Sequence, residues 1–167
     1  MTENNTLTHQ DTLVKMVLDV WNSKVSQLDK LLTLLSDEDL LKEVSPGRNS
    51  GRYLLGHLTA LADSIIPLAG FGEKLVPEYL KIFAQTPEKE NNSFPPLDEL
   101  RRSWVKVKTS LGEKMEATSS QEWFQKHTAI SEEDFAKEPH RNKLNVVLSR
   151  ATHMDYHLGQ LTFLKPR

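Results

Sequence analysis

The chain has 167 residues, of which 38% are hydrophobic, and its 21 basic and 23 acidic side chains leave a net charge of −2. This composition is typical of a globular protein, and the near-neutral charge excludes a basic surface for nucleic acid or an anionic membrane. Cysteine is absent, which excludes disulfides, thiolate metal ligands and a cysteine nucleophile.

The ends and the interior of the chain carry no sign of export or of a second domain. No apolar run approaches the roughly 18 residues of a membrane span, and the first residues lack the basic and apolar regions of a signal peptide. Together with the lack of cysteine, these features predict a cytoplasmic protein. Because no repeat or linker divides the chain, we expect residues 1–167 to form one domain.

Four segments repeat apolar residues at steps of three and four, the spacing of amphipathic helices. The predicted helices cover residues 8–35, 50–66, 96–117 and 141–164. In the first, the expected core stripe includes Leu13, Met16, Val17, Val20 and Trp21. No stretch alternates with period two over the length of a sheet strand. The sequence therefore predicts an all-α four-helix bundle.

The connection at 67–96 is the least regular part of the chain. Pro67 is expected to end the second helix, and a short helix is expected at 77–84. A connection of this length crosses the fold or covers a site. Its aromatic side chains are therefore candidates for a lid, or equally for anchoring the loop on the core. They are Phe71, Tyr79, Phe83 and Phe94.

The fourth helix is apolar on two sides. Leu144 and Leu158 mark one side, and Val146, His153 and Leu164 mark the other. A helix of this kind is buried on both sides. The second partner is either another subunit in a two-fold homodimer or the loop after the second helix.

His153 and His157 are four residues apart in this helix, so their imidazoles project from one face. Such a pair is half of a metal site, but it also occurs as hydrogen-bonded structural histidines. The glutamate of the zinc-protease pattern is missing, because Met154 follows His153 and the only acid between the histidines is Asp155.

Four further histidines lie outside the pair. His57 is flanked along its helix face by apolar and small residues, so it is either a hydrogen-bonded core residue or a ligand. His127 and His140 lie in an irregular region, where each is either an exposed loop residue or a further ligand. His9 falls in the first helical turn and is expected to be solvated.

Two segments resemble the DinB-like superfamily of metalloenzymes. The first is Pro46-Gly-Arg-Asn-Ser-Gly-Arg-Tyr-Leu-Leu-Gly-His57-Leu, and the second is Thr152-His-Met-Asp-Tyr-His-Leu-Gly-Gln-Leu161. The resemblance covers nearly the whole chain. It implies a four-helix bundle with up-down-down-up connectivity, which is often dimeric. It also implies one divalent ion, zinc or nickel or another, bound by His57, His153 and His157.

Three neutral imidazoles would leave a bound ion with its full charge and at least one open position, the pattern of a catalytic site. Imidazole suits several metals, so ligand type does not select one. The rings would need acceptors to orient them, and Asp63, Ser64 and Gln160 are candidates.

The superfamily that the chain resembles includes a maleylpyruvate isomerase and also transferases that use a low-molecular-weight thiol. It therefore implies a metal-dependent enzyme acting on a small molecule, in its sharpest form a thiol-dependent S-transferase that attacks electrophiles. A hydrolase using metal-activated water is a second enzymatic form. A non-enzymatic metal-binding or damage-response protein is the third interpretation, because no general acid or base is identifiable in the sequence.

Overall fold

A computed structural model describes residues 8–91 and 93–166, and this part of the chain is helical with no strand. The helices are α1 (His9–Leu34), α2 (Asp37–Leu40), α3 (Gly51–Asp63), α4 (Ile65–Leu68), α5 (Glu78–Leu80), α6 (Leu97–Glu116), α7 (Ser120–Trp123), α8 (Glu132–Lys137) and α9 (Lys143–Leu161). A π-helix at Lys81–Gln85 continues α5. Across the described ranges, no helix has both the length and the apolar character needed to cross a bilayer.

The second helix ends earlier than predicted. Helix α3 stops at Asp63, and α4 follows with Pro67 inside it rather than after it. Proline is tolerated in a first helical turn, where its missing N–H would have no partner within the helix. Pro67 is the third residue of α4, so it sits within such a turn.

Polar caps define where the long helices begin. At α1, the Thr8 hydroxyl accepts the N–H of Asp11, and the Asp11 carboxylate accepts the N–H of Thr8. Ser50 caps α3, and Asn142 caps α9 by accepting the N–H of Asn145 at 2.9 Å. Each cap satisfies N–H groups that have no carbonyl partner within the helix.

The four long helices pack in a closed ring. Helix α9 packs against both α1 and α3, and α3 also packs against α6. Helix α6 closes the ring onto α1, since the Trp104 indole donates to Asp29 at 2.8 Å and Lys108 pairs with the same carboxylate. Each long helix thus contacts two others.

The core face of α1 is narrower than the predicted stripe. Leu13, Met16 and Val20 are 45%, 59% and 41% exposed, whereas Val17 and Trp21 are buried. The apolar arc of α1 is wider than the part that its neighbours cover, so the inclusion of these three residues in the core was wrong. Trp21 lies in the core as predicted.

Helix α9 contacts other helices of the same chain on two sides. On one side Lys24 of α1 pairs with Asp155 at 2.7 Å. On the other side His57 of α3 approaches His153. The two-sided apolar pattern of α9 therefore does not by itself require a second subunit.

The connection at 67–96 is held against both ends of α3 by hydrogen bonds. The Asp63 carboxylate accepts the N–H groups of Leu75 and Val76 at 2.8 and 3.1 Å. The Glu88 carboxylate accepts the N–H of Ser50 at 2.7 Å. Between them two aromatic side chains are fully buried, Tyr79 and Phe83. These aromatics anchor the connection on the core, which was one of the two alternatives for them.

Candidate metal centre

Three histidines from two helices meet where α3 and α9 pack together. His57 lies in the middle of α3, and His153 and His157 lie one turn apart in α9. The Nε2 atom of His153 is 2.9 Å from that of His57 and 3.0 Å from that of His157. One ligand atom from each of the three residues lies within 4.8 Å of the others, close enough to hold one metal ion.

Hydrogen bonds on the far sides of two rings determine which nitrogen carries a proton. His57 Nδ1 is 2.7 Å from the carbonyl oxygen of Phe83, which can only accept. Nδ1 must therefore donate, and Nε2 keeps its lone pair. His157 Nδ1 is likewise 2.7 Å from Gln160 Oε1. Both rings therefore present a bare nitrogen to the centre.

The donor set fits a cation better than it fits a hydrogen-bonded cluster. A proton on His153 Nε2 can be donated to one of the two bare nitrogens but not to both. The other nitrogen would face the cluster without a partner, which is costly for a group removed from water. Nitrogens around a tetrahedral zinc ion lie about 3.3 Å apart, so the observed 2.9 and 3.0 Å are near that spacing.

The surroundings keep all three imidazoles in the neutral form that metal binding needs. Burial lowers the pKa of His57 and of His157. Burial also lowers the pKa of His153 to about 4, with smaller contributions from the neighbouring histidines and from Arg150. At neutral pH the cluster is therefore uncharged and able to take up a divalent ion without first releasing protons.

The centre is open to small molecules. His157 is buried, but His57 and His153 are partly exposed. A cavity of about 280 Å³ adjoins His157 and is bordered by Tyr156, Gln160 and the loop at 47–49. A second cavity, of about 270 Å³, lies one turn before His153 along α9. A small molecule can therefore reach the cluster from the His157 side, and the second cavity lies farther along the same helix.

The structure also places the other residues singled out from sequence. His127, His140 and His9 lie outside the three-histidine group. Asp63 and Ser64 were candidates to orient the rings. Asp63 instead accepts the backbone N–H groups of the connection, and the Ser64 hydroxyl donates to the carbonyl of Leu61.

Of the three orienting candidates, only Gln160 contacts a ligand histidine. Its amide nitrogen also lies 3.3 Å from the Tyr156 hydroxyl, which orients the amide so that its oxygen faces the ring. The spacing of three residues within one helix was the signal for this contact.

Two features of the site were not found from sequence. The Phe83 carbonyl that binds His57 is a backbone group, and no side-chain pattern indicates it. Arg150 is close enough to lower the pKa of both His57 and His153. Its position three residues before His153 was a signal that could have identified it.

No protein-family profile matches this chain. No curated protein matches it with statistical significance. The functional argument therefore depends on the geometry of the three histidines and on the chemistry of the residues around them.

Proposed function

We propose that this protein is a DinB-like metalloenzyme that binds one divalent ion through His57, His153 and His157. The observation that carries the proposal is the convergence of three Nε2 atoms, two of which keep a free lone pair because Nδ1 of the same ring donates a hydrogen bond to an oxygen. The closed ring of long helices supports a four-helix bundle. Up-down-down-up connectivity remains the expected order of its helices.

A divalent ion held by three neutral imidazoles would supply a Lewis acid with an open position for a water or a thiol. Zinc and nickel are the metals we expect. The residues of the chain hold the rings in place, since the Phe83 carbonyl and the Gln160 amide oxygen each accept a hydrogen bond from the Nδ1–H of one ligand ring. Partial exposure of His57 and His153 leaves access for a small substrate.

The reaction we propose is the transfer of a low-molecular-weight thiol to a small electrophile. The thiol sulfur forms a bond to an electrophilic carbon, the leaving group departs with the bonding electron pair, and the thiol proton passes to solvent. The chain has no cysteine, so the thiol must be a separate molecule. Such thiols are kept reduced in the cytoplasm, the compartment expected from the sequence.

The first experiment is metal analysis of the untagged protein. We expect about one equivalent of divalent metal per chain, as a three-ligand site predicts, and loss of that metal in His153→Ala. His127→Ala is the matched control, because His127 lies outside the cluster, and it should keep the metal. Unchanged metal content in a folded His153→Ala protein would contradict the proposed site.

A thiol panel then tests the reaction. Metal-loaded protein should accelerate conjugation of a cellular thiol such as bacillithiol, mycothiol or glutathione to a model electrophile, and His153→Ala should not. Hydrolysis of an ester or amide substrate without any thiol would favour the hydrolase. Bound metal with neither activity would favour the non-enzymatic interpretation.

We also propose that the protein forms a homodimer through an exposed apolar stripe on α1. Leu13, Met16 and Val20 occur at steps of three and four and are each more than 40% exposed. An exposed apolar patch can be buried by pairing with the same patch of a second copy across a two-fold axis.

A further inference from the structure

Arg150 lies beside the histidine cluster without being part of it. It precedes His153 by three residues in α9, so the two side chains share a face with an axial offset of about 4.5 Å. Its positive charge lowers the pKa of His57 on the opposite helix as well as that of His153. The guanidinium is thus within electrostatic reach of residues from both helices.

The guanidinium has no partner in the described part of the chain. Its Nε is buried and makes no hydrogen bond, and no carboxylate of residues 8–91 and 93–166 forms an ion pair with it. Arg101, Arg102 and Arg141, by contrast, each pair with an acidic side chain. Burial is strong enough to lower the pKa of Arg150, yet an arginine stays charged at neutral pH.

A partly buried positive charge without a counterion is unfavourable, because it loses part of its hydration and gains no ionic partner in return. A ligand that supplies the missing negative charge would offset this cost. At Arg150 the missing partner would be an acceptor for the guanidinium N–H groups. It would also be negatively charged, since it must offset a full positive charge.

The cavity of about 270 Å³ is lined by Arg150 and supplies further donors. Arg141 and Asn145 border it, and no acidic side chain does. His127 also lines it, and its Nδ1 accepts the N–H of Ala129 at 3.2 Å. The proton of a neutral His127 is therefore on Nε2, which makes that atom a donor. The cavity thus combines positive charge with neutral donors.

We propose that Arg150 binds an oxyanion group of a small organic substrate, a carboxylate or a phosphate, while the reacting part of that substrate lies at the three-histidine centre. This inference rests on the proposed function, since it names the class of substrate for the same site. The planar fork of a guanidinium matches two oxygens of either group. The cavity volume is just below the roughly 300 Å³ at which drug-sized pockets begin, which suits a short acid.

The experiment follows the Arg150 Nε–H signal by nitrogen–proton NMR during titration with glutarate and, separately, with inorganic phosphate. It uses the full chain in chelator-treated form, so that neither probe can bind to a metal ion, and then the zinc-loaded form. We expect a saturable shift of the Nε–H signal in both forms. The probe that binds more tightly identifies the carboxylate or the phosphate as the preferred group.

Substitutions of Arg150 test whether it binds the oxyanion directly or only supports the structure of the site. Arg150→Gln should bind the probe about tenfold more weakly or worse, the loss expected for charge-assisted hydrogen bonds. Arg150→Lys keeps the charge but not the fork and should fall between Arg150→Gln and the unmodified protein. Arg102→Gln is the matched control, because Arg102 is exposed and paired with Asp98, and its affinity should be unchanged.

Three results would overturn the inference. The first is equal probe affinity in Arg150→Gln and the unmodified protein, and the second is an Nε–H signal that does not move. The third is loss of metal from a folded Arg150→Gln protein, which would make Arg150 a structural support of the centre. Failure of the metal proposal is distinguishable from all three, because the unmodified protein would then lack metal while the titration of its metal-free form still shows a saturable shift.

Discussion

His57 Nδ1 lies 2.7 Å from the carbonyl oxygen of Phe83, a residue of the π-helix 26 positions along the chain. This bond directs the lone pair of His57 toward α9, where His153 and His157 lie. The orientation of His57 on α3 therefore depends on the connection at 67–96, which supplies no metal ligand of its own. Hydrogen-bond partners of this kind orient metal-binding histidines and tune their affinity.

Gly56→Ala should weaken metal binding through Phe83. A Cβ at position 56 would lie 2.5 Å from two atoms of the Phe83 ring, so the ring and its carbonyl must move away from His57. We expect metal affinity to fall about tenfold or more, measured by competition with a chelator. The overpacking should also cost about 1–3 kcal/mol of unfolding free energy, partly offset by about 1 kcal/mol of helix propensity.

Gly112→Ala is the matched control for this substitution. Gly112 lies inside α6, and a Cβ there would meet nothing within 4 Å. This variant should gain up to about 1 kcal/mol of stability from helix propensity and bind metal as the unmodified protein does. If the Gly56→Ala protein binds metal as tightly as the unmodified protein does, the Phe83 carbonyl does not orient His57.

Gln160→Ala should reduce metal affinity without unfolding the protein. The Gln160 amide oxygen accepts a hydrogen bond from His157 Nδ1–H at 2.7 Å, and removing this acceptor should cost about 10–100-fold in metal affinity. Gln160→Glu keeps an acceptor oxygen and should retain most of the binding. The same chelator competition measures both variants, and an Ala variant that binds more tightly than the Glu variant would contradict this role.

The protein should lose stability in strong acid as Asp39 becomes protonated. The hydrogen bond from Lys42 contributes most, and those from Ser36 come next; together they lower the pKa of Asp39 from 3.8 to about 2. The folded state therefore binds fewer protons than the unfolded state between these values. The stabilisation is present above pH 3.8 and is lost as the pH falls toward 2.

Denaturant titrations across this pH range measure the effect. Asp39→Asn should be less stable at neutral pH and should show a weaker loss of stability between pH 4 and pH 2. Parallel curves for the two proteins would show that Asp39 is not a source of the acid sensitivity.

Met16→Glu should shift the protein from dimer to monomer. Met16 is 59% exposed at the centre of the proposed stripe on α1, and a charge there is costly to bury in an interface. Light scattering should give about twice the chain mass of 19.1 kDa for the unmodified protein and the single mass for the variant.

Lys15→Glu is the control for this change. Lys15 lies next to Met16 but faces solvent, where it pairs with Asp19, so its variant should stay dimeric. If light scattering gives the mass of a single chain for the unmodified protein, the proposed dimer interface is wrong.

Much of the helical framework was predictable because its signals are local. The segments around α1, α6 and α9 were predicted within a few residues. The position of the break after α3 was not, because the third residue of α4 tolerates Pro67. Three apolar residues of α1, Leu13, Met16 and Val20, were wrongly placed in the core, since burial depends on how much of the helix the neighbouring helices cover.

The sequence by itself determined that His153 and His157 share a face, because helical geometry places residues four apart side by side. Only the tertiary structure decided that His57, 96 residues before His153, reaches the same point. It also decided that Phe83 orients His57 and that Arg150 comes within electrostatic reach of His57 on the other helix. Backbone carbonyls carry no sequence signature, and contacts between distant segments arise only when whole helices pack.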